Sequence, residues 1–456
     1  MKEACALDTA GRGFALMCEM GTGKTLTAIA ITGALYQAGK IRRALVISPT
    51  SVVSVWISEL ERHAAFPYRA TALLGDRQQR LRALRELDKW PFRGLKVAVI
   101  NYEATWREGI AEALLAWRPE LVIADESQRI KTHNARQSKA VHKLGDQAEY
   151  KLILSGTPVQ NNAVDLFSQY RFLDPAVFGT NFYAFRNRYC VMGGFNRQQI
   201  VGYRNMDELI RKAHRIAYRV TKGECLDLPE ETFENRYVNF RPADRKLYDR
   251  LRRTSVAELE SGGRITAPTV LTKLLRLQQL TGGFLRPDES ARPEHVNSAK
   301  LDALMDIVDD YVICEGRKLV VFARFTAEID LISKALKERG IRFGCLDGRT
   351  PVSERDRLVA EFQNDPGMKV FVAQIQTAGL GITLHAASTA VFYSLDFNYA
   401  SYTQALARIH RVGQHHPCTY IHLLVENTVD EKVLASLRKK DDIARALVDD
   451  WRSYFE

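Results

Sequence analysis

The 456-residue sequence has no apolar run near the ~18–20 residues that a membrane-spanning helix needs. Its first residues, Met1-Lys2-Glu3-Ala4-Cys5-Ala6-Leu7-Asp8, carry charge where a secretory signal would carry an uninterrupted hydrophobic stretch. Cysteine is sparse. The seven (Cys5, Cys18, Cys190, Cys225, Cys314, Cys345, Cys418) are scattered, odd in number and never in Cys-x-x-Cys spacing. That pattern excludes a disulfide-stapled scaffold and a zinc ribbon, and it predicts reduced thiols in a cytoplasmic protein. Low-complexity tracts and solenoid repeats are also missing, which excludes fibrous and repeat architectures.

What is present is ordinary folded-domain composition, 46% hydrophobic and 26% charged, in a chain long enough for two to four domains. Lys and Arg number 65 against 54 Asp and Glu, a net charge of +11. The surplus suits a polyanionic partner such as nucleic acid, although many soluble proteins are mildly basic.

Residues 1–175 alternate short β-branched runs with helical stretches. Phe14–Cys18, Ala44–Ile47, Val97–Ile100, Leu121–Ala124 and Leu152–Leu154 are compact and non-alternating, as strands buried on both faces are. Between 176 and 298 the strand runs give way to aromatics, basics and amphipathic stretches. Asp207–Ala217, Pro242–Glu260 and Pro268–Leu280 read as helices, Glu224–Phe233 as an extended connector, and Gly262-Gly263 and Gly282-Gly283 as punctuation. From 299 to 456 the βα rhythm returns, with strand candidates at Lys318–Phe322, Phe343–Leu346, Lys369–Ala373, Ala390–Tyr393 and Tyr420–Leu424, and a last helix over about Asp430–Asp449. The expectation is an α/β chain of two parallel-sheet lobes with a helical insertion between them.

Met20-Gly21-Thr22-Gly23-Lys24-Thr25 follows a strand and opens a helix. Glycines let backbone N–H groups approach phosphate oxygens, a lysine reaches the β- and γ-phosphates, and a threonine hydroxyl can hold Mg²⁺. Cys18 stands where the strict phosphate-loop pattern has its first glycine. Asp125-Glu126 closes the run Leu121–Ala124. Alone, such a pair reads as a solvated strand end. Downstream of a phosphate loop it predicts a metal-holding Asp125 and a water-orienting Glu126. Leu154-Ser155-Gly156-Thr157-Pro158 puts small hydroxyl residues after another strand. Arg408 and Arg411, three apart, share one helix face. By spacing they are an exposed basic helix or, paired with a phosphate loop in the other lobe, arginine fingers.

These motifs together resemble the Swi/Snf-type helicase-like ATPases of helicase superfamily two, in order and over nearly the whole chain. CEMGTGKT, Leu45–Val52 followed by Trp56, Asn101-Tyr102-Glu103, DESQRIK (Asp125–Lys131), LSGTPVQNN (Leu154–Asn162), Lys318–Phe322, Leu346-Asp347-Gly348, Thr377–Ile382 and QALARIHRVGQ carry the resemblance. It implies two RecA-like lobes, ATP with Mg²⁺ in the cleft between them, and movement along mainly duplex DNA. The compact size resembles phage or bacterial members. The resemblance assigns catalysis to Glu126, Gln404, Arg408 and Arg411. Nucleotide contacts fall to Met20, Gly21, Thr22, Gly23, Lys24, Thr25, Asp125, Gly379 and Gly381, with Thr25 and Asp125 on the metal. Nucleic-acid contacts fall to Pro49, Thr50, Ser51, Gln160, Asn161 and Asn162, and to Arg324, Gly348 and Thr377.

Gln128 stands where the family has histidine, and Thr377–Ile382 lacks one of the usual glycines. The family reads adenine with a glutamine upstream of the phosphate loop. Here Met1-Lys2-Glu3-Ala4 stands at that point, which implies a misplaced start or a chain without the contact. Basic stretches at Arg211–Lys222 and Arg241–Arg253 are expected to meet DNA phosphates or to be solvated faces. Trp56, four residues after Val52, reads as core. The function expected is a DNA-dependent ATPase that translocates on DNA or remodels protein–DNA or branched DNA, with replication, repair or recombination proteins as its partners. The alternatives are a fork-directed helicase or annealing motor, an RNA-directed motor, and a non-cycling ATP-binding scaffold.

Overall fold

The computed structural model describes residues 13–91, 93–194, 199–260, 267–286 and 292–448. The start segment around Met1–Ala4 and the Gly262-Gly263 pair lie outside these. The chain forms two compact units. One takes the described residues through Leu226 and the chain from Lys440 onward, and the other runs Asp227–Lys439.

The first unit is built on a seven-stranded parallel sheet. Its strands are β1 (Gly13–Cys18), β2 (Arg43–Ser48), β3 (Tyr68–Ala72), β4 (Leu95–Asn101), β5 (Leu121–Asp125), β6 (Tyr150–Leu154) and, after a small antiparallel hairpin of β7 (Cys190–Gly193) and β8 (Gln199–Tyr203), β9 (Ala217–Val220). The order is β3-β4-β2-β5-β6-β1-β9. Every residue of β1 and β5 is buried, as expected for strands covered on both faces. Parallel pairing forces a crossover after each strand, so the loops that follow β1, β2, β4, β5 and β6 all open on one sheet edge.

The second unit carries a six-stranded parallel sheet in the order β10-β17-β16-β13-β15-β14. Its members are β10 (Glu231–Val238), β13 (Leu319–Ala323), β14 (Phe343–Leu346), β15 (Val370–Gln374), β16 (Thr389–Phe392) and β17 (Cys418–Val425). A two-residue pair, β11 (Phe284–Leu285) with β12 (Glu294–His295), lies apart from it. Among the described residues no helix is long and apolar enough to cross a membrane.

Two expectations need correction. The stretch 176–298 is not free of strands and does not fold as one insertion. Its part through Leu226 belongs to the first unit and supplies β9, which pairs with β1 from Ala15↔Ala217 to Cys18↔Val220. The rest belongs to the second unit, and the end of the expected connector Glu224–Phe233 enters β10, which pairs with β17 over eight residues. Both are edge strands. Tyr218, Phe233 and Tyr237 remain exposed, so neither strand shows the apolar continuity of an inner one. The half-buried edge strand β3, Tyr-Arg-Ala-Thr-Ala, escapes a reading by apolar runs for the same reason.

Helix α1 (Lys24–Gln37) packs beside the sheet with Gly33 against Phe66, whose ring lies between those of Tyr36 and Tyr68 at 6.1 and 6.0 Å. A Cβ at Gly33 would come 2.5 Å from Phe66 Cδ1. Replacing an interior helical glycine by alanine ordinarily gains about 1 kcal/mol. Here Gly33→Ala should instead lose about 1–3 kcal/mol through overpacking, read as a lower denaturant midpoint. A raised midpoint would contradict this packing.

Candidate functional site

The loop after β1 turns through Gly21 and Gly23, at φ 86° and 84°, into α1. These left-handed angles suit glycine, and nothing lies within 4 Å of where a Cβ would sit at either. The loop is thus an open cradle of backbone at a helix N-terminus, the arrangement that receives phosphate. Lys24 folds its ammonium back onto the carbonyls of Cys18 and Glu19, both at 2.8 Å. Burial lowers its pKa, while Glu126 and Asp125 oppose that shift. Thr22 Oγ1 donates to Glu19 O at 2.8 Å, closing the turn beneath the cradle. Thr25, in the first turn of α1, is half-buried.

Asp125 ends β5 and is buried. Its carboxylate accepts from Trp56 Nε1 at 2.9 Å and from the Glu126 N–H at 3.0 Å, while the Tyr102 hydroxyl donates to its carbonyl at 2.7 Å. Burial, with the Glu126 carboxylate adding to it, raises the Asp125 pKa well above the ordinary carboxylate range. Glu126 sits at φ 51°. A left-handed glutamate is strained by about 1–3 kcal/mol, and such strain gathers at functional sites.

From Glu126 a line of hydrogen bonds leads to the loop after β6. Gln128 Nε2 donates to Glu126 Oε2 at 2.6 Å, Ser155 Oγ donates to Gln128 Oε1 at 2.7 Å, and the Thr157 N–H donates to Ser155 Oγ at 3.1 Å. That loop returns to the cradle, since a Cβ at Gly156 would lie 3.2 Å from Met20 Cγ and 3.5 Å from Lys24 Nζ. The Thr157 hydroxyl is buried without a hydrogen-bond partner. The structure therefore brings together Met20, Gly21, Thr22, Gly23, Lys24, Thr25, Asp125 and Glu126.

Farther along the same edge, Pro49 is buried, and Thr50 and Ser51 are exposed just past β2. Thr50 Oγ1 donates to Glu103 Oε2 at 3.4 Å, and Asn101 Nδ2 donates to the same oxygen at 2.8 Å. Gln160 is buried, with its amide oxygen taken by Lys131 Nζ at 2.6 Å. Asn161 is exposed, and its N–H joins that of Gln160 on Asp165 Oδ2 at 2.7 and 2.9 Å. Asn162 Oδ1 caps the following turn through the Val164 N–H at 3.1 Å.

In the second unit, Arg408 Nη1 and Arg411 Nη1 converge on one acceptor, Ile382 O, at 3.2 and 3.3 Å. Ile382 follows Gly381, at φ 77°, and the short helix Ile375–Leu380 that contains Thr377 and Gly379. Gln404 O receives Arg408 Nε at 3.0 Å. Burial lowers the Arg411 pKa. Arg324, Gly348 and Thr377 meet at Gln374. Its amide accepts from the Gly348 N–H at 3.3 Å and donates to Arg324 O at 3.1 Å, and its carbonyl accepts from Thr377 Oγ1 at 2.6 Å. The Arg324 guanidinium is bonded to Gln278 Oε1 and lies 4.9 Å from the Phe325 ring centre.

Sequence reasoning missed Trp56 as a partner of Asp125, and missed Gln278 and Gln374 as connectors. For Trp56 a signal existed, because a buried indole N–H needs an acceptor. Arg219 was expected to meet DNA phosphates or to lie on a solvated face. It is buried instead, donating to Met17 O at 2.8 Å and pairing with Glu19 at 3.4 Å.

The SNF2-related domain profile matches residues 5–282, and the helicase conserved C-terminal domain matches residues 299–413. The chain belongs to the SNF2-related domain family. It is an ATP-dependent, helicase-like ATPase module of that family. An uncharacterized ATP-dependent helicase of Mycoplasma genitalium is 27% identical over 98% of this chain and 41% of its own length. The human SWI/SNF-related matrix-associated actin-dependent regulator of chromatin subfamily A member 1 is 27% identical over 91% and 40%. A DNA repair and recombination protein RAD54-like of Drosophila erecta is 27% identical over 94% and 59%. The chain thus spans less than two thirds of each of these relatives. Among solved structures, the Sulfolobus solfataricus SWI2/SNF2 ATPase core in complex with dsDNA is 25% identical, covering 98% of this chain and 92% of that one, with a TM-score of 0.43.

In this SNF2-family chain, Trp56→Phe leaves Asp125 Oδ2 buried without its donor. The expected cost is about 1–3 kcal/mol, measured by equilibrium denaturation. An unchanged stability would show that the indole contributes nothing to Asp125.

Proposed function

We propose that the chain is a DNA-dependent ATPase that couples hydrolysis to movement along duplex DNA or to remodelling of what is bound there. The observation that carries this reading is the continuous line Glu126–Gln128–Ser155, which ties the hydrolytic carboxylate to the loop holding Gln160, Asn161 and Asn162. A change at the nucleotide thereby reaches residues suited to phosphate contact through three side chains.

The residues present fit a magnesium-bound nucleotide. The cradle is open at Gly21 and Gly23, the Thr157 hydroxyl is unpartnered, and an acid–lysine set faces the loop. Thr25 and Asp125 would hold the ion, which when bound neutralises charge on the β- and γ-phosphate oxygens. Lys24 exchanges its two carbonyls for phosphate oxygens. Glu126 orients the attacking water, with Gln128 fixing one of its oxygens. Arg408 and Arg411, preset on Ile382 O, stabilise charge on the transferring phosphoryl group. Met20 lines the cradle, Gln404 supports Arg408, and Gly379 and Gly381 give the backbone its freedom beside Ile382.

Pro49, Thr50, Ser51, Arg324, Gly348 and Thr377 complete a set of hydroxyl, guanidinium and backbone groups that grip phosphates without reading bases, as a moving motor requires. Loss of a base-specific contact would otherwise accompany every step.

Steady-state ATP hydrolysis should be measured without nucleic acid and with duplex, single-stranded and forked DNA and RNA at one salt concentration. Strong stimulation by plain duplex is expected. Preference for forks or single strands would replace this reading with an unwinding or annealing motor. Lys24→Ala and Glu126→Gln should each abolish turnover with the fold intact. Ser155→Ala should keep basal hydrolysis but reduce the stimulation by DNA. Full stimulation in that variant would remove the coupling role of the hydrogen-bonded line.

A further inference from the structure

The edge of the first sheet opposite the nucleotide carries a basin that none of the motifs accounts for. Arg42, Arg43, Arg93 and Lys96 line it, together with Gly94 and Asp88, around a volume of about 490 Å³. Arg43 and Lys96 are directly paired at the starts of β2 and β4. The phosphate-contact candidate Thr50 lies just past the other end of β2, and Asn101 ends β4 beside it. The basin is therefore about 17 Å away along the sheet and outside the track.

Two of its cations are held in place by main-chain carbonyls, Arg43 by Trp117 O and Lys96 by Asp88 O. Arg42 lies 6.0 Å from the Tyr36 ring centre, and Arg42 and Arg93 are exposed. Asp88 is the one acid of the lining, and Glu120 beside the basin spends one carboxylate oxygen on the N–H groups of Arg42 and Arg43, at 3.1 and 2.7 Å. None of the four cationic side chains forms an ion pair among the described residues. Two anchored and two exposed cations, set against the single acid Asp88 of the lining, leave this concavity with a cationic surplus suited to an anion.

We propose that this basin is a second nucleic-acid site, one that binds the phosphate backbone of a DNA segment other than the one being tracked. The lining decides between polyanions. A protein-binding surface centres on aromatic and aliphatic side chains and is depleted of lysine. This basin has no apolar side chain in its lining and sets four cations against one acid, the balance that a phosphate backbone favours. A straight duplex in the track cannot also enter a basin on the opposite sheet edge, so the second segment comes from another molecule or a distant loop of the same one.

The inference rests on the DNA-directed reading above, and one experiment separates the two. The full chain is titrated with a short duplex of about two helical turns, and stoichiometry is read by sedimentation together with DNA-stimulated ATP hydrolysis. Two duplexes per chain are expected. In Arg42→Glu/Arg93→Glu the expectation is one duplex, a salt-dependence slope for the second event that disappears, and unchanged stimulation of hydrolysis. One duplex in the parent chain with normal stimulation, or two in the variant, overturns the second site alone. No duplex binding and no stimulation overturn both readings. Displacement of the second duplex by poly-glutamate at lower concentration than by competing duplex would make the basin a protein-docking site and also overturn the proposal.

Discussion

A carboxylate placed out of water is the constraint around which the first unit is arranged. Asp125 lies at the end of an inner strand, and burial there opposes its charge. The surroundings answer with an indole N–H from the helix Val53–His63, a backbone N–H from Glu126 and the ammonium of Lys24. Each comes from a different crossover of the parallel sheet. The fold is what allows an indole 69 residues away to donate to this carboxylate while an ammonium about 100 residues away stabilises its charge at a distance. Removing any donor leaves a buried anion under-satisfied, so packing and chemistry share the same residues.

The second unit solves a related problem with carbonyls. Two guanidiniums rest on the single acceptor Ile382 O, and Gln374 gathers three loops through its amide and backbone. Arg324 receives further order from Glu328, a buried carboxylate that accepts the Arg324 and Phe325 N–H groups and the Ser394 hydroxyl and whose pKa burial raises to about 7. The guanidiniums of Arg324, Arg408 and Arg411 are thus kept on neutral acceptors. A committed ion pair would have to be broken before an incoming phosphate could bind.

Much of this was legible in the sequence where the chemistry is local. Gly21, Gly23, Lys24, Asp125 and Glu126 announce themselves because a phosphate loop and a strand-end acid pair each occupy a few consecutive positions. The inner strands show as compact apolar runs because both of their faces are buried. What stayed hidden depends on distance or on edges. The Trp56–Asp125 bond spans 69 residues, and Gln374 links loops that only the sheet brings together. The strands β3, β9 and β10 have one side open, so their polar residues blur the pattern. Arg219 looked like surface charge because a basic run carries no mark of which member turns inward.

Strand β9 has a mechanical meaning. Its last residue, Val220, accepts the Glu19 N–H at 2.9 Å, and Glu19 in turn holds the Lys222 N–H at 2.6 Å and the Arg219 guanidinium. Glu19 is also one of the two carbonyls on which Lys24 rests. The chain leaves the first unit only a few residues later, at Leu226. The segment that follows Val220 is thus bonded, through Glu19, to the glycine loop that opens α1, so the last strand of this unit and that loop hold each other's backbone in place.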